Sequence, residues 1–582
     1  MIGVLRKYRR IPERYLFPLL LFLWPFVGLF RSFDLRDASY SLGYFQYGAQ
    51  MDPMWYLATY LANLFGKLLT LLPFGGTYAG MNVWATLLIC AMALSAYYLL
   101  GRFELPRWMI FIAEWIAVSL CWCPRVILYN YLTYALFTGG TLLLLYGLVS
   151  VHHPGRLLVM AGVLYGLNVH TRFPNILECC MIVTVVAYGI WTKQGPGLVL
   201  KRIGLCVAGY AAGFLIPYLV IRIRYGETAY ADMVSALLGL TAESPQHGAG
   251  GMLGLIAGAY GRTLSHMAIL IPCIAAGVVM FVWKKDSFVQ IKRLLYMAGI
   301  GLLCVFYFKQ GVFTFNYWYY DCMFQAAMMF VIFAVLLFVL DIAGLLGGHE
   351  QERLLSLTAL MIILITPLGS DNYTYPVLNN LFLVAPAALG TFRRAQRKTL
   401  ASRHREAHFT WGSMMAAMAL VLFVQGSIFH AVFVYGGEKD VRYDTKITGI
   451  PKAEGMITSE EKAGRLENLY AFLAAQELTG KPTLLFGDIP GMSYLFDLPP
   501  AIFTTWPDLD SNSVERFDTA LGALDTLPQV LVSSELIGAT QQERKEVLLQ
   551  TFLLQRAYDK IYDDGVYRMY EWLGTPAQGD AP

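Results

Sequence analysis

Two carboxylates, Asp34 and Asp37, sit in Phe33-Asp34-Leu35-Arg36-Asp37-Ala38-Ser39-Tyr40, directly after the first long apolar run of the chain. Carboxylates are the side chains that take protons from reacting hydroxyls and that hold hard cations. Here they stand out because acid is scarce around them. Residues 431–582 carry 23 of the 40 Asp and Glu, leaving 17 in the first 430 residues. On a helical turn Asp34 and Asp37 share one face; the plain alternative is a solvated helix end. The segment that follows, to about residue 79, is aromatic and semi-polar, with Tyr44, Phe45, Tyr47, Trp55, Tyr56 and Tyr60. That composition predicts one or two helices lying in a membrane interface, with Trp and Tyr at headgroup depth.

The elements that must position this segment are membrane helices. Of 582 residues, 57% are hydrophobic and 14% charged, against about 25% charged in a soluble domain. A wholly water-soluble or disordered chain is thereby excluded. Runs near the ~20 apolar residues that cross a bilayer predict thirteen spans. They fall at 15–31, 80–100, 107–121, 131–150, 156–170, 175–191, 203–221, 256–282, 294–308, 321–345, 354–368, 378–391 and 409–430. With the N-terminus inside, the inner segments carry 22 Lys and Arg and the outer ones eight. The positive-inside rule then places the N-terminus in the cytoplasm and residues 431–582 outside. The first run follows Arg6, Lys7, Arg9, Arg10 and Arg14 and exits without a small-residue cleavage site, so it reads as an uncleaved anchor. Basic residues flank apolar spans rather than a soluble face, so nucleic acid is not an expected partner.

The fold class expected is therefore a polytopic α-helical membrane protein, residues 1–430, with a small α/β extracytoplasmic domain, residues 431–582. In that domain Thr458-Ser459-Glu460-Glu461 predicts a capping box opening a helix to about 477. Thr483–Gly487 and Gln529–Val532 read as buried strands, 512–525 and 541–556 as helices, and Tyr558–Tyr562 with Val566–Trp572 as a hairpin. No glycine-rich phosphate loop is present, so nucleotide binding is not expected. All nine cysteines precede residue 323, which excludes a disulfide scaffold for the outer domain. Cys121, Cys123, Cys179 and Cys180 lack ligand spacing and read as apolar filler rather than a zinc site.

A basic N-terminal tail, one span, an acidic motif at its outer end, an amphipathic first outer loop 32–79 and thirteen spans with an outer C-terminal domain resemble the GT-C membrane glycosyltransferases. Protein O-mannosyltransferases, aminoarabinose transferases and the RgtA/B/C/D-like group belong there. Their motif at this place is an Asp, often Asp-Glu, followed within two to four residues by Tyr. Asp37-Ala38-Ser39-Tyr40 supplies the Asp and the Tyr without the Glu. The resemblance covers the first ~430 residues in architecture and only short pieces in motif. It implies transfer of a sugar from a polyprenyl-phosphate donor to an acceptor hydroxyl at the outer face of a bacterial plasma membrane, with inversion. The acceptor is a glycan, lipid or protein, and membrane lipids are the surrounding partners.

On that resemblance Asp37 is the catalytic base, since a phosphate leaving group needs no acid but the acceptor proton needs a home. Asp34 is its helper, orienting the acceptor or a metal, and Tyr40 belongs to the substrate site. Cations must hold the phosphate charge, and those expected outside are few: Arg125, Arg172, Arg222, Arg224 and Lys309. Arg222 and Arg224 come first because guanidinium forks suit phosphate oxygens and a long loop with Gly248, Gly250 and Gly251 follows. Snorkelling at the interface is the plain alternative for each. Tyr129 and Asn130 in the second outer loop join the candidates. Many family members carry another Asp there; Asn130 weakens a two-carboxylate metal site, and a divalent cation stays open. Glu114 sits mid-span, where a carboxylate is either functional or protonated and hydrogen-bonded between helices. Glu178 and Asp341 are expected solvated or paired. Asn316–Asp321 reads as an aromatic belt or a sugar platform, and Gly369–Tyr373 as an outer turn within reach of the sugar. The rival class is a lipid or glycan transporter or flippase, which calls for broken helices and midplane charges; Glu114 alone approaches that. A non-catalytic assembly protein ranks behind it.

Overall fold

The computed structural model describes residues 11–572 and 574, apart from 32, 122–125, 127–128, 151, 244–248, 284–286, 316, 318–320, 371, 403–404, 510 and 535–541. Arg125, most of the 316–320 aromatic run and Asp371 thus lie outside the described residues.

The chain is mostly helical, with a small sheet domain at its C-terminal end. Nine helices among the described residues are long and apolar enough to cross a bilayer: Pro12–Arg31, Tyr78–Leu100, Tyr129–Val149, Phe173–Trp191, Pro196–Tyr225, Gly250–Val282, Val289–Lys309, Met323–Ile342 and His408–Val432. The other four expected spans lie on shorter helices, Arg107–Leu120, Pro154–Asn168, Glu350–Ile365 and Val384–Leu400, of 14, 15, 16 and 17 residues. The expected 378–391 span departs most. The chain makes a short helix at Tyr375–Asn379, breaks, and restarts at Val384. Asn380 at the break bonds the Thr366 and Thr138 hydroxyls, each at 3.4 Å.

Backbone approach holds one helix pair together. Gly162 and Gly166 of Pro154–Asn168 face Gly209 and Gly213 of Pro196–Tyr225, and a Cβ on any of the four would overlap a carbonyl oxygen of the other helix. Small residues four apart permit this contact, which gains dispersion where no hydrophobic drive exists between helices in lipid. Elsewhere in the bundle, Asp341 is fully buried. It accepts from Arg394 Nη2 at 2.5 Å and Ser356 Oγ at 2.6 Å, while Arg394 also reaches Glu352 at 3.3 Å. Glu178 is buried and accepts from Asn168 Nδ2 at 2.6 Å. Glu114 is fully buried, and neither carboxyl oxygen has a hydrogen-bond partner among the described residues.

The segment expected as the first outer loop folds as three helices, Asp37–Tyr47, Pro53–Ala58 and Tyr60–Thr70. Tyr44, Tyr47, Tyr56 and Tyr60 are buried in protein, packed with Ile221, Tyr230 and Met233. The extra helical neighbours Pro196–Tyr225 and Ala229–Glu243 take the apolar faces that lipid would otherwise cover.

In the C-terminal domain the strands are β1 (Thr445–Lys446), β2 (Ile457–Thr458), β3 (Thr483–Phe486), β4 (Gln529–Ser533), β5 (Asp559–Asp563) and β6 (Tyr567–Glu571). The main sheet runs β3-β4-β6-β5, with β3 and β4 parallel and the hairpin antiparallel. Helices Glu460–Ala475, Val514–Gly522 and Gln542–Gln555 match their expected places. The cap of the first is Ser459, which accepts from the Lys462 amide at 3.3 Å; Thr458, one residue earlier, is spent in β2. β3 and β4 are buried on both faces, as a strand covered on each side requires. Leu484, Phe486, Val530 and Val532 meet the outer helices. Leu485 and Leu531 share a core with Leu35, Ala38, Leu42 and Phe45 of the first outer loop. The domain and the loop therefore have one hydrophobic core between them.

Candidate functional site

The site grows from the exit of Pro12–Arg31. Arg31 Nη1 donates to the Tyr443 carbonyl at 2.9 Å, tying the helix end to the C-terminal domain. Asp34 follows, buried, with Oδ1 accepting from the Arg36 amide at 3.1 Å and Oδ2 from the Ala38 amide at 3.0 Å. It thus caps helix Asp37–Tyr47, satisfying two amides that a helix start leaves over. Burial pushes its carboxyl up to about 6, the charge of Asp37 adding to the rise and the two amides opposing it. Asp34 and Asp37 do not share a helical face: the first precedes the helix and points inward, the second opens it and is exposed.

Asp37 Oδ2 accepts from the Tyr435 hydroxyl at 2.7 Å. Tyr435 lies just past helix His408–Val432, where the last expected span meets the C-terminal domain. Arg36, between the two aspartates, pairs through Nε with Asp488. Asp488 follows Gly487 at the end of β3, both with positive φ, 65° and 97°. Its amide donates to Asp508 Oδ2 at 2.7 Å. Burial pushes the Asp488 carboxyl up to about 7, opposed by Arg36 and reinforced by Asp508, Asp34 and Asp37. Three residues on, the Gly491 amide donates to the Leu35 carbonyl at 2.8 Å, and a Cβ there would overlap Ser39. Gly487-Asp488-Ile489-Pro490-Gly491 is thus the bracket that holds the acidic motif. Sequence reading passed over it, although a Gly-Asp…Pro-Gly turn after a buried strand marks such a close approach.

Tyr40 donates or accepts with Tyr44 at 2.9 Å and Thr504 at 3.3 Å, and its ring meets Trp506 edge-on. From Tyr40 a row of rings runs through Tyr44 and Tyr56 to Tyr225. Arg224 lies over Tyr225 at 5.6 Å, and Arg222 pairs with Glu227 at 2.6 Å. These two arginines stand at the far end of that row from Asp37 instead of beside it. The reason is the loop's own aromatic packing, which fills the intervening space. Arg172 donates to the Gly369 carbonyl and lies over the Tyr129 ring at 6.0 Å, bringing the second outer loop, the third and the 369–373 turn together. The neighbouring His170 carbonyl accepts the Leu61 amide at 2.9 Å, joining that group to the first outer loop. Asn130 is half-buried at the start of Tyr129–Val149, and Lys309 is exposed at the end of its helix. Among the described residues, no group of three or more His, Cys, Asp or Glu is arranged to hold a metal ion.

A polar cleft of about 160 Å³ opens beside the motif, lined by Asp34, Arg36, Tyr435, Lys462, Asp488 and Ser533 among others. An exposed carboxylate held by Tyr435, a residue that also lines this polar cleft, is equipped to accept a proton from a hydroxyl brought to it.

No protein-family model and no curated protein sequence matches the chain. Solved structures do. A crystal structure of the Archaeoglobus fulgidus oligosaccharyltransferase tethered with an acceptor peptide is similar over 97% of this chain and 74% of its own, at 11% identity and a TM-score of 0.45. The same enzyme with zinc and sulfate gives 10% identity, 96% and 73% coverage and a TM-score of 0.43. Its complex with an inhibitory peptide and a dolichol-phosphate gives 12%, 98% and 75%, and 0.40.

Proposed function

We propose that this protein is a membrane glycosyltransferase that moves a sugar from a polyprenyl-phosphate donor to an acceptor hydroxyl at the outer face of a plasma membrane. The single observation that carries the reading is Asp37: a solvent-facing carboxylate at the exit of the first long apolar helix, fixed by Tyr435 and roofed by the C-terminal domain. Asp37 takes the acceptor proton as the hydroxyl attacks the anomeric carbon from the side opposite the phosphate, which inverts the configuration. Asp34 shapes the loop by capping its helix, a positioning role. The phosphate charge falls to outer-facing cations. Arg172 with Tyr129 is joined to the first loop through His170; Arg125, Arg222, Arg224 and Lys309 complete the candidates. The thirteen spans run with the N-terminus inside, four of them short and tilt-limited.

Purified protein supplied with polyprenyl-phosphate sugars and a lipid extract as acceptor source tests this. The expected result is sugar transfer by wild type and its loss in Asp37→Asn. Unaltered transfer in the variant removes Asp37 as base, and no transfer by wild type returns the chain to the transporter class.

A further inference from the structure

The polar cleft beside the acidic motif has a lining that selects a ligand class. It sits outside the carboxyl ends of the parallel strands β3 and β4, the place where open α/β sheets accept ligands. Four parts of the chain meet there: the first outer loop, the segment after the last apolar helix, the first turns of Glu460–Ala475, and the strand ends. The charges are mixed. Asp34, Glu438, Glu461 and Asp488 stand against Arg36, Lys462 and Arg465.

Most of the carboxylates are already committed. Asp34 holds two backbone amides, Asp488 holds Arg36, and Glu461 holds Arg465 at 2.6 Å. Arg36 pairs through Nε and Arg465 through Nη2, and both residues also line the hollow. A phosphate there meets four acidic groups, and a fixed cation meets three basic ones. A neutral polyol meets neither penalty, because each hydroxyl both donates to carboxylate and accepts from guanidinium or ammonium. The rings of Tyr435, Tyr443 and Tyr567 supply flat apolar faces between the charges. The volume, about 160 Å³, lies below the ~300–1,000 Å³ of drug-sized pockets and suits one sugar unit.

We propose that this cleft is a subsite for a neutral sugar unit of the acceptor, seated between the C-terminal domain and the acidic motif. The acceptor is then a neutral glycan whose chain lies along the domain face while its reacting hydroxyl reaches Asp37. The inference rests on the glycosyltransferase reading for its purpose, though binding itself is measured apart from transfer.

The test uses the full-length chain in nanodiscs. Methyl glycosides and tetrasaccharides of glucose, galactose, mannose and N-acetylglucosamine are titrated by saturation-transfer NMR, with inorganic phosphate as competitor. At least one neutral sugar binds saturably, phosphate does not displace it, and Lys462→Met and Arg465→Met each weaken it about ten-fold or more. Melting curves establish that both variants stay folded. No binding by any sugar, binding indifferent to both substitutions in folded protein, or displacement by phosphate overturns the subsite. A wild type that binds sugar here but never transfers it loses the glycosyltransferase reading and keeps the subsite. One that transfers sugar without binding it here does the reverse.

Discussion

The Tyr435 hydroxyl donates to Asp37 Oδ2 at 2.7 Å, across 398 positions of sequence. The bond steadies the carboxylate before a substrate arrives. Tyr435→Phe should therefore lower kcat by about ten-fold with little change in KM, while Asp37→Asn removes the base and lowers kcat by roughly 10²–10⁴-fold. Steady-state kinetics on both variants separates the two roles; equal losses would make Tyr435 more than a positioning residue.

Gly491 allows the strand-end bracket to lie against Ser39 with no side chain between. Gly491→Val should push the C-terminal domain off the first outer loop and abolish transfer, with the loop cleaved faster by protease. Gly464→Ala, on an outer helix with open space around it, should leave both unchanged.

The four-glycine contact between Pro154–Asn168 and Pro196–Tyr225 predicts a second sensitive position. Gly166→Leu, like Gly213→Leu, should cost several °C of melting temperature or prevent folding, because backbone carbonyls cannot yield to a side chain. Gly204→Leu on the same second helix, with nothing near its Cβ, serves as the silent comparison in a detergent melt.

Asp34 and Asp488 carry carboxyls raised to about 6 and about 7. Their ordinary value is 3.8 in both cases. The folded state therefore holds protons that the unfolded chain releases between about pH 4 and pH 7. Their contribution to stability is full below pH 4 and is lost as pH rises through 6 to 7. The melting temperature should fall from pH 5 to pH 8, and Asp488→Asn should flatten part of that fall. A melt that rises over the same range contradicts the assignment.

The outer domain was legible because its signals are local. Buried strands, a serine cap and a turn at Asp563-Asp564-Gly565 place each element within two or three residues of its expected bounds. The apolar runs were equally plain, and so was the position of Asp37. What escaped was set by contacts far along the chain. Asp34 looked like a partner for Asp37, yet only the folded turn shows both its oxygens on backbone amides. No sequence pattern announces that Ile221 and Tyr230 pack with Tyr44 and Tyr56. Arg222 and Arg224 were chosen for their guanidinium forks and the glycine-bearing loop after them, features that say nothing of the aromatic row between them and the acidic motif. The glycines at 162, 166, 209 and 213 were visible as two small-residue repeats four apart, and their meaning lay in the facing of one against the other.

The shared core of first loop and last domain has a temporal side. Leu35, Leu42 and Phe45 leave the ribosome early, yet Leu485, Met492 and Leu531, which cover them, arrive some 440 residues later. At roughly 5–20 residues per second, the acidic motif waits tens of seconds half-dressed at the membrane surface. Any chain that stops short of its final domain leaves Leu35, Ala38 and Leu42 without these apolar partners.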